Sequence, residues 1–206
     1  MFRLLAPVFG LCLLVAAGAM AAEADTPAGA EAAETAVFAG GCFWCVEEAF
    51  DGVDGVIDTT SGYAGGHVEQ PTYEQVVTGD TGHAEVVRVR YDPARVDYET
   101  LLDTFWRNID PFDGGGQFCD RGSSYRSVIF TTSEAQAAAA QASRAALAEQ
   151  FGRPIATEIR PLEAFYPAED YHQNYHQEHA VTYRFYKWNC GRSQRLHEIW
   201  GDREGS

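Results

Sequence analysis

The clearest alternation of apolar and polar positions lies in HAEVVRVRYDP, residues 83–93. Val87, Val89 and Tyr91 recur at every second position there and predict a strand that Pro93 ends. TAVFAG, from Thr35, is a short apolar strand running into a double glycine. CFWCVEEAFD, 42–51, has helical character. GVIDTTSGYAGG is a strand passing into a glycine-rich loop, and PTYEQVVTGDTG is loop with one helical turn. VDYETLLDTFWRNID places Leu101, Leu102, Phe105, Trp106 and Ile109 on one helical face behind an Asp97 cap. DPFDGGGQFCDRGSS reads as a long loop and YRSVIFTT as a strand. SEAQAAAAQASRAALAEQFG is a long helix capped by Ser133 and stopped by Gly152. IATEIRPL is a last strand, and the remainder from Phe165 reads as mostly irregular. Strand, helix, strand, strand, helix, strand is the order of a split βαβ unit. The expected fold is therefore α+β, a ferredoxin-like α/β plait with long glycine-rich loops and an irregular C-terminal tail. A thioredoxin-like order competes. Both place Cys42 just after a strand, where a helix begins.

Composition changes this picture at the N-terminus. Arg3, the apolar run LLAPVFGLCLLVAAGA and the small-residue exit AMA at 19–21 read as a signal peptide over residues 1–21. The run is too short for a membrane span, and Leu11 before Cys12 argues against a lipid attachment site. A cleaved leader implies a periplasmic protein with no stable membrane insertion. Residues 22–34, alanine- and acid-rich, read as a disordered linker. Residues 35–201 form a single expected domain, with its tail from about 165, and 202–206 a disordered end. The chain has 206 residues, 46% of them hydrophobic, enough for one packed core. Its formal net charge of -15 argues against a nucleic-acid or anionic-membrane partner. Cleavage leaves four cysteines, Cys42, Cys45, Cys119 and Cys190, which allow three pairings as two bridges in an oxidising compartment. It also removes both methionines, Met1 and Met20. An oxidant-exposed protein gains from lacking a residue that oxidises so readily.

The candidate chemistry centres on GGCFWCVEEAF, residues 40–50. A thiol at a helix start faces unpaired N–H groups and the positive end of the helix dipole, and both favour the thiolate. Cys42 is thus the better nucleophile, with Cys45 one turn on and on the same face. A zinc clip is disfavoured because no second C-x-x-C follows. A structural disulfide and a thioredoxin-like redox pair stay open. The surroundings supply aromatic side chains at Phe43, Trp44, Tyr63 and Tyr73, acids at Glu85 and Asp120, and a further phenol at Tyr125. A plain disulfide exchanger has little need of such acids. His172, His176 and His179, spaced i, i+4, i+7, raise a metal site, which is set aside. His83 shares the Glu85 strand face and reads as either a tuning group or a satisfied core residue. Arg126, Asp92 and Asp110 read as structural charge partners. Gly65–Gly66 and Gly114–Gly116 lack the lysine of a phosphate cradle and read as close-approach loops.

The segments GCFWCVE, GYAGG, PTYE, TGHAEVV, YDP, LLDTFWRNIDP, DRGSSYRS, FYPAEDYHQNY and CGRSQRLHEIWG together resemble the peptide methionine sulfoxide reductase A family over residues 35–201. The resemblance implies reduction of the S-epimer of methionine sulfoxide, free or in proteins, without a metal or other cofactor. It implies attack by Cys42 on the sulfoxide sulfur, giving methionine and a cysteine sulfenic acid. Glu85 matches the acid that protonates the sulfoxide oxygen, which requires a raised pKa. Tyr73 and Tyr125 match tyrosines that hydrogen-bond that oxygen, and Asp120 a supporting acid. Phe43 and Trp44 match the seat for the substrate methyl group. Cys190 matches a common position for the thiol that resolves the sulfenic acid, with Cys45 as the alternative. Cys45 and Cys119 depart from the family pattern, as do Ser124 and Ile109, and a relay through several cysteines is open. A thioredoxin-like protein is the implied reductant, and the enzyme is expected to act as a monomer. A thiol-disulfide oxidoreductase using Cys42–Cys45, and a binding module with two structural disulfides, are the competing readings.

Overall fold

The computed structural model describes residues 32–201. The leader over 1–21, most of the linker over 22–34 and the end over 202–206 lie outside the described residues. The elements run β1 Glu34–Gly40, α1 Phe43–Asp51, β2 Val56–Ala64, α2 Tyr73–Val77, β3 Ala84–Tyr91 and α3 Tyr98–Arg107. There follow β4 Gly116–Gln117, β5 Asp120–Arg121, β6 Ser127–Thr131, α4 Glu134–Phe151, β7 Glu158–Pro161 and β8 Phe165–Pro167. Three helices close the described residues: α5 Tyr175–Glu178, α6 Ala180–Asn189 and α7 Arg192–Trp200.

Six strands form one sheet in the order β7-β6-β1-β3-β2-β8. Neighbours are antiparallel except β6 and β7, which are parallel. The mixed α+β class is as expected. The sheet is wider than a four-strand plait, because β7 and β8 extend its two edges. The short ribbon of β4 and β5 stands apart, within what reads in the sequence as loop.

The period of two along each strand sorts the side chains between two faces. On one face Ala36 and Phe38 of β1, with Val87, Val89 and Tyr91 of β3, pack beneath α1 and α3. On the other, Val37, Ala39, Ala84, Val86, Val128 and Phe130 form a second cluster. Glu85 shares the parity of Val87 and Val89, so β3 delivers a carboxyl to the helix-covered face. It pairs with Tyr63 of β2 in the register. Phe38 is fully buried and stacks on Phe50, Tyr98 and Phe105, with centroids 4.9, 6.2 and 5.1 Å away. The helix caps fall where the sequence puts them. Asp97 accepts from the Thr100 amide, Ser133 from the Gln136 amide, and Gly152 takes the left-handed conformation that ends α4.

The tail differs from its expectation. It is ordered into β8 and three helices rather than irregular. α6 turns Tyr183, Tyr186 and Cys190 inward, while Val181, Phe185 and Trp188 on its other side are exposed. Large apolar groups therefore occupy both faces, and the amphipathic pattern that marks a helix is erased. His172, His176 and His179 do not share a helical face. His172 closes a 3-10 turn, His176 lies in α5, and His179 sits at the α5–α6 junction.

The tail clasps α1. Tyr183 and Lys187 both donate to Glu48, at 2.6 and 2.5 Å. Arg192, 3% exposed, donates to the carbonyls of Asn108 and Gly40. Arg195 pairs with Asp110, and Arg126 with Glu158.

Phe38→Ala should cost about 3–5 kcal/mol, the range for emptying a buried aromatic site. Urea unfolding checks this, with Ile57→Ala, at a half-exposed position, expected to stay within about 0.5 kcal/mol.

Candidate active site

The site begins at the turn between β1 and α1. Gly41 has φ +84°, and a Cβ there would meet Gln117 Cβ at 2.5 Å, so only glycine fits. Gln117 is itself fully buried and closes the 110–117 loop, accepting from the Asp110 amide and donating to the Asp110 carbonyl, both at 2.8 Å. This turn sets Cys42 at the N-cap of α1. The next amide, Phe43 N–H, donates to Glu85 Oε2 at 3.0 Å. Nucleophile and acid therefore meet at one helix start.

A cavity of about 80 Å³ opens there, lined by Cys42, Phe43, Trp44, Tyr73, Glu85, Asp120, Tyr125 and Tyr186. A groove of about 330 Å³ near Glu34, Tyr91 and Gln136 is larger. It brings together no nucleophile and buried acid, so the small cavity is the better site.

Seven of its eight lining residues are those singled out in the sequence. Tyr186 is the addition. Its hydroxyl donates to Asp120 Oδ2 at 2.5 Å and sits within reach of Cys42. The period of Tyr183, Tyr186 and Cys190 was the available signal. His172, in the FYPAEDYHQNY segment, stands behind the aromatic wall. Its ring lies 4.9 Å from Phe43 and 4.4 Å from Tyr73, and Trp44 Nε1 donates to its Nδ1 at 3.3 Å. Trp44 is further backed by Tyr175, stacked at 3.8 Å and 9°. Glu169 ties the far side together, accepting from Tyr63 Oη at 2.8 Å and from the Tyr73 amide at 2.9 Å. His83 is a satisfied core residue, bonded to the Gly66 amide and the Val68 carbonyl.

Burial decides the protonation states. It raises the Glu85 carboxyl to about 8, against the pull of the Phe43 amide, so the acid is neutral at pH 7. Burial, then the nearby Glu85 carboxyl, lifts Tyr73 to about 12. Tyr125 is raised by the same two causes, and Asp120 by burial. Cys42 departs from its expectation. Its helix start favours the thiolate, but burial and the hydrogen bond with Cys45 push the thiol well up. Cys45 is pulled down to about 6, chiefly by that same hydrogen bond and, against its own burial, by the Arg192 guanidinium. The two sulfurs share one hydrogen bond and titrate as a pair.

Cys42 and Cys45 are free, while Cys119 and Cys190 form a disulfide. The sequence favoured Cys190 as the partner of Cys42; here it is paired with Cys119, across a Cα–Cα distance of 5.0 Å. The two bridged sulfurs lie 3.8 and 3.9 Å from the carboxylate oxygens of Asp120, at the cavity wall. Cys119 is exposed. The arrangement of two free thiols inside and one disulfide at the rim does not fit a module held by two structural bridges.

The family model for peptide methionine sulfoxide reductase matches residues 34–204. The chain belongs to the peptide methionine sulfoxide reductase family. A relative from Caulobacter vibrioides, peptide methionine sulfoxide reductase MsrA 2, is 48% identical over 193 residues, covering 93% of this chain and 98% of its own. Among solved structures of this family, Mxr1 from Saccharomyces cerevisiae in reduced form aligns with a TM-score of 0.68. It is 34% identical and covers 71% of this chain and 85% of its own. Mxr1 in complex with Trx2 aligns at 0.50, 27% identical, over 69% of this chain and 84% of its own.

One buried acid stands behind the site. Glu47, fully buried in α1, is raised to about 7 by burial. The Asn174 amide and the Ser61 hydroxyl ease its charge, and neither closes a full hydrogen bond. A carboxyl raised on folding gives stability that is lost as pH rises through its folded value. Glu47→Gln should therefore gain up to a few kcal/mol over wild type between pH 5 and pH 8. Urea unfolding at the two pH values checks this, and an equal difference at both would contradict it.

Proposed function

We propose that this protein reduces the S-epimer of methionine sulfoxide, free or in oxidised proteins, in the periplasm, with a thioredoxin-like protein as final reductant. Membership of the family and the shared helix start of Cys42 and Glu85 support the reaction. The epimer preference rests on the family likeness, and export rests on residues 1–21. The Mxr1–Trx2 complex supports a thioredoxin-like reductant. No prosthetic group enters the steps below.

The observation that carries the reading is a neutral carboxyl held beside a thiol in a small aromatic cavity. The substrate methyl seats against Phe43 and Trp44. The sulfoxide oxygen faces Glu85, Tyr73 and Tyr125. Sulfoxide oxygen leaves sulfur only once protonated, so Glu85 gives its proton there as Cys42 sulfur attacks. Cys42 passes its own proton to Cys45, with which it shares a hydrogen bond. The oxygen, now protonated, passes from the substrate sulfur to Cys42 sulfur as the new bond between the two sulfurs breaks; the substrate sulfur gains two electrons and departs as methionine. The oxygen stays on Cys42 as a sulfenic acid, and Cys42 is the group oxidised. Asp120 and Tyr186 support the wall through their mutual hydrogen bond.

Methionine formed in a single turnover of the pre-reduced protein, with no thiol added, is the test. Cys42→Ser should form none. Wild type should slow as pH rises past about 8, where Glu85 loses its proton. Glu85→Gln should be roughly a hundredfold slower at pH 7 and lack that alkaline fall. Full activity in Cys42→Ser, or the same alkaline fall in Glu85→Gln, would overturn these roles.

A further inference from the structure

Three groups that bind borderline-soft metal ions meet at the cavity rim. Cys119, Asp120 and Cys190 place two sulfurs and a carboxylate oxygen within 4.8 Å of one another. Cys119 Sγ lies 3.8 Å from Asp120 Oδ1, and Cys190 Sγ lies 3.9 Å from Asp120 Oδ2. Tetrahedral zinc, at about 2.3 Å from sulfur and about 2.1 Å from oxygen, has a sulfur–oxygen edge of about 3.6 Å. The carboxylate therefore already stands near a ligand position. The two sulfurs are bonded to each other here. Reduction frees them, and they need part only to about 3.8 Å, the sulfur–sulfur edge of the same tetrahedron. Rotation of side chains on Cα atoms 5.0 Å apart reaches that separation. The surroundings suit an ion. The Cys119 amide points at Cys190 Sγ from 3.2 Å, a donor that steadies the thiolate once the bridge opens. Tyr186 donates to Asp120 Oδ2 at 2.5 Å, which fixes the carboxylate from behind and leaves Oδ1 to the metal. Two thiolates and a carboxylate would leave bound Zn2+ with one net negative charge. The Arg192 guanidinium, 4.3 Å over the Phe118 ring, acts on Asp120 through its charge and offsets it. Cys119 is exposed, so water can fill the fourth position.

We propose that reduced Cys119 and Cys190, with Asp120, bind one zinc ion at the rim, and that oxidation of the pair to its disulfide expels the ion. Two thiolates select a borderline-soft ion such as Zn2+ over Mg2+ or Ca2+. Binding joins two thiols and Zn2+ into a zinc dithiolate and releases two protons, with no change of oxidation state. Release follows thiol–disulfide exchange with an incoming disulfide. The two thiolates give it two electrons and join to each other, while its own sulfurs leave as two thiolates. The bridged sulfurs carry no charge with which to hold the metal. A dithiol reverses the exchange and remakes the site. Asp120 also lines the substrate cavity, so a bound ion takes hold of one of its walls. Zinc is thus a reversible brake that only the reduced protein feels. The site needs a reducible rim bridge and does not depend on Cys42 being the nucleophile.

The test titrates the protein with zinc chloride against a zinc-chelating dye, with no substrate present. One sample is reduced with dithiothreitol and freed of it by gel filtration without oxygen; the other keeps its Cys119–Cys190 disulfide. The reduced wild type should hold one zinc per chain and the oxidised wild type none. Oxidised glutathione added to the zinc-loaded protein should release the metal as the disulfide returns. Cys119→Ser and Cys190→Ser should each lose the ion, while Cys42→Ser keeps it. Tyr186→Phe should weaken binding by about tenfold to a hundredfold, and Asp120→Asn by at least as much. Absence of zinc from the reduced wild type, or equal zinc in both of its redox states, overturns the proposal without any variant. Loss of the ion in Cys42→Ser with retention in Cys119→Ser would place it on the inner pair and overturn it too. Since substrate is absent, none of these results bears on the reduction of methionine sulfoxide.

Discussion

Everything in the site hangs on one hydrogen bond, from the Phe43 amide to the Glu85 carboxyl. Two influences compete at that point. A helix N-terminus stabilises an anion, and an accepted N–H bond does the same. Burial opposes both, and it wins, since the carboxyl ends near 8 rather than below 4. The outcome is an acid held in place by a donor that would ordinarily keep it ionised. The same helix start carries Cys42, so one turn of backbone orients both reactants.

The sheet enforces this meeting. Glu85 reaches the helix-covered face because β3 alternates and because its register runs unbroken against β1 as far as Phe38–Val87 and against β2 from Asp58 to Ala64, beyond a bulge at the start of β2. A shift of one residue would turn Glu85 to the opposite face and Val86 toward the cysteine. Phe38, locked among three rings on β1, pins that register from the core side. The tail supplies the remaining constraint. Arg192 holds the Gly40 carbonyl just ahead of the nucleophile, while Tyr175 and His172 brace Trp44. The helices on either side of Cys190 therefore also shape the cavity.

Most of the central framework was legible in the sequence. The β3 alternation, the Asp97 and Ser133 caps and the apolar face of α3 each carry a local signal and stand where expected. The seven chemical residues were legible through their motifs. The tail was not, because α6 exposes Val181, Phe185 and Trp188 and hides hydroxyl-bearing tyrosines, inverting the usual pattern. β8 has three residues, too few for alternation to register. The burial that raises the Cys42 thiol was hidden for a different reason. Helix position is local and readable, whereas burial beneath a tail is a tertiary property. The pairing of Cys119 with Cys190, 71 residues apart, likewise has no local signature.

The account stands on a Glu85 carboxyl that is neutral at physiological pH while facing a helix start. Carbon-13 NMR of the glutamate carboxyl carbons, with the Glu85 signal assigned by its absence in Glu85→Gln, measures this directly across pH. A titration midpoint near 8 is predicted. A midpoint near the ordinary glutamate value of about 4.3 would mean that the amide and helix prevail over burial. The acid would then already be ionised, and the proton transfer on which the mechanism depends would have no source in this residue.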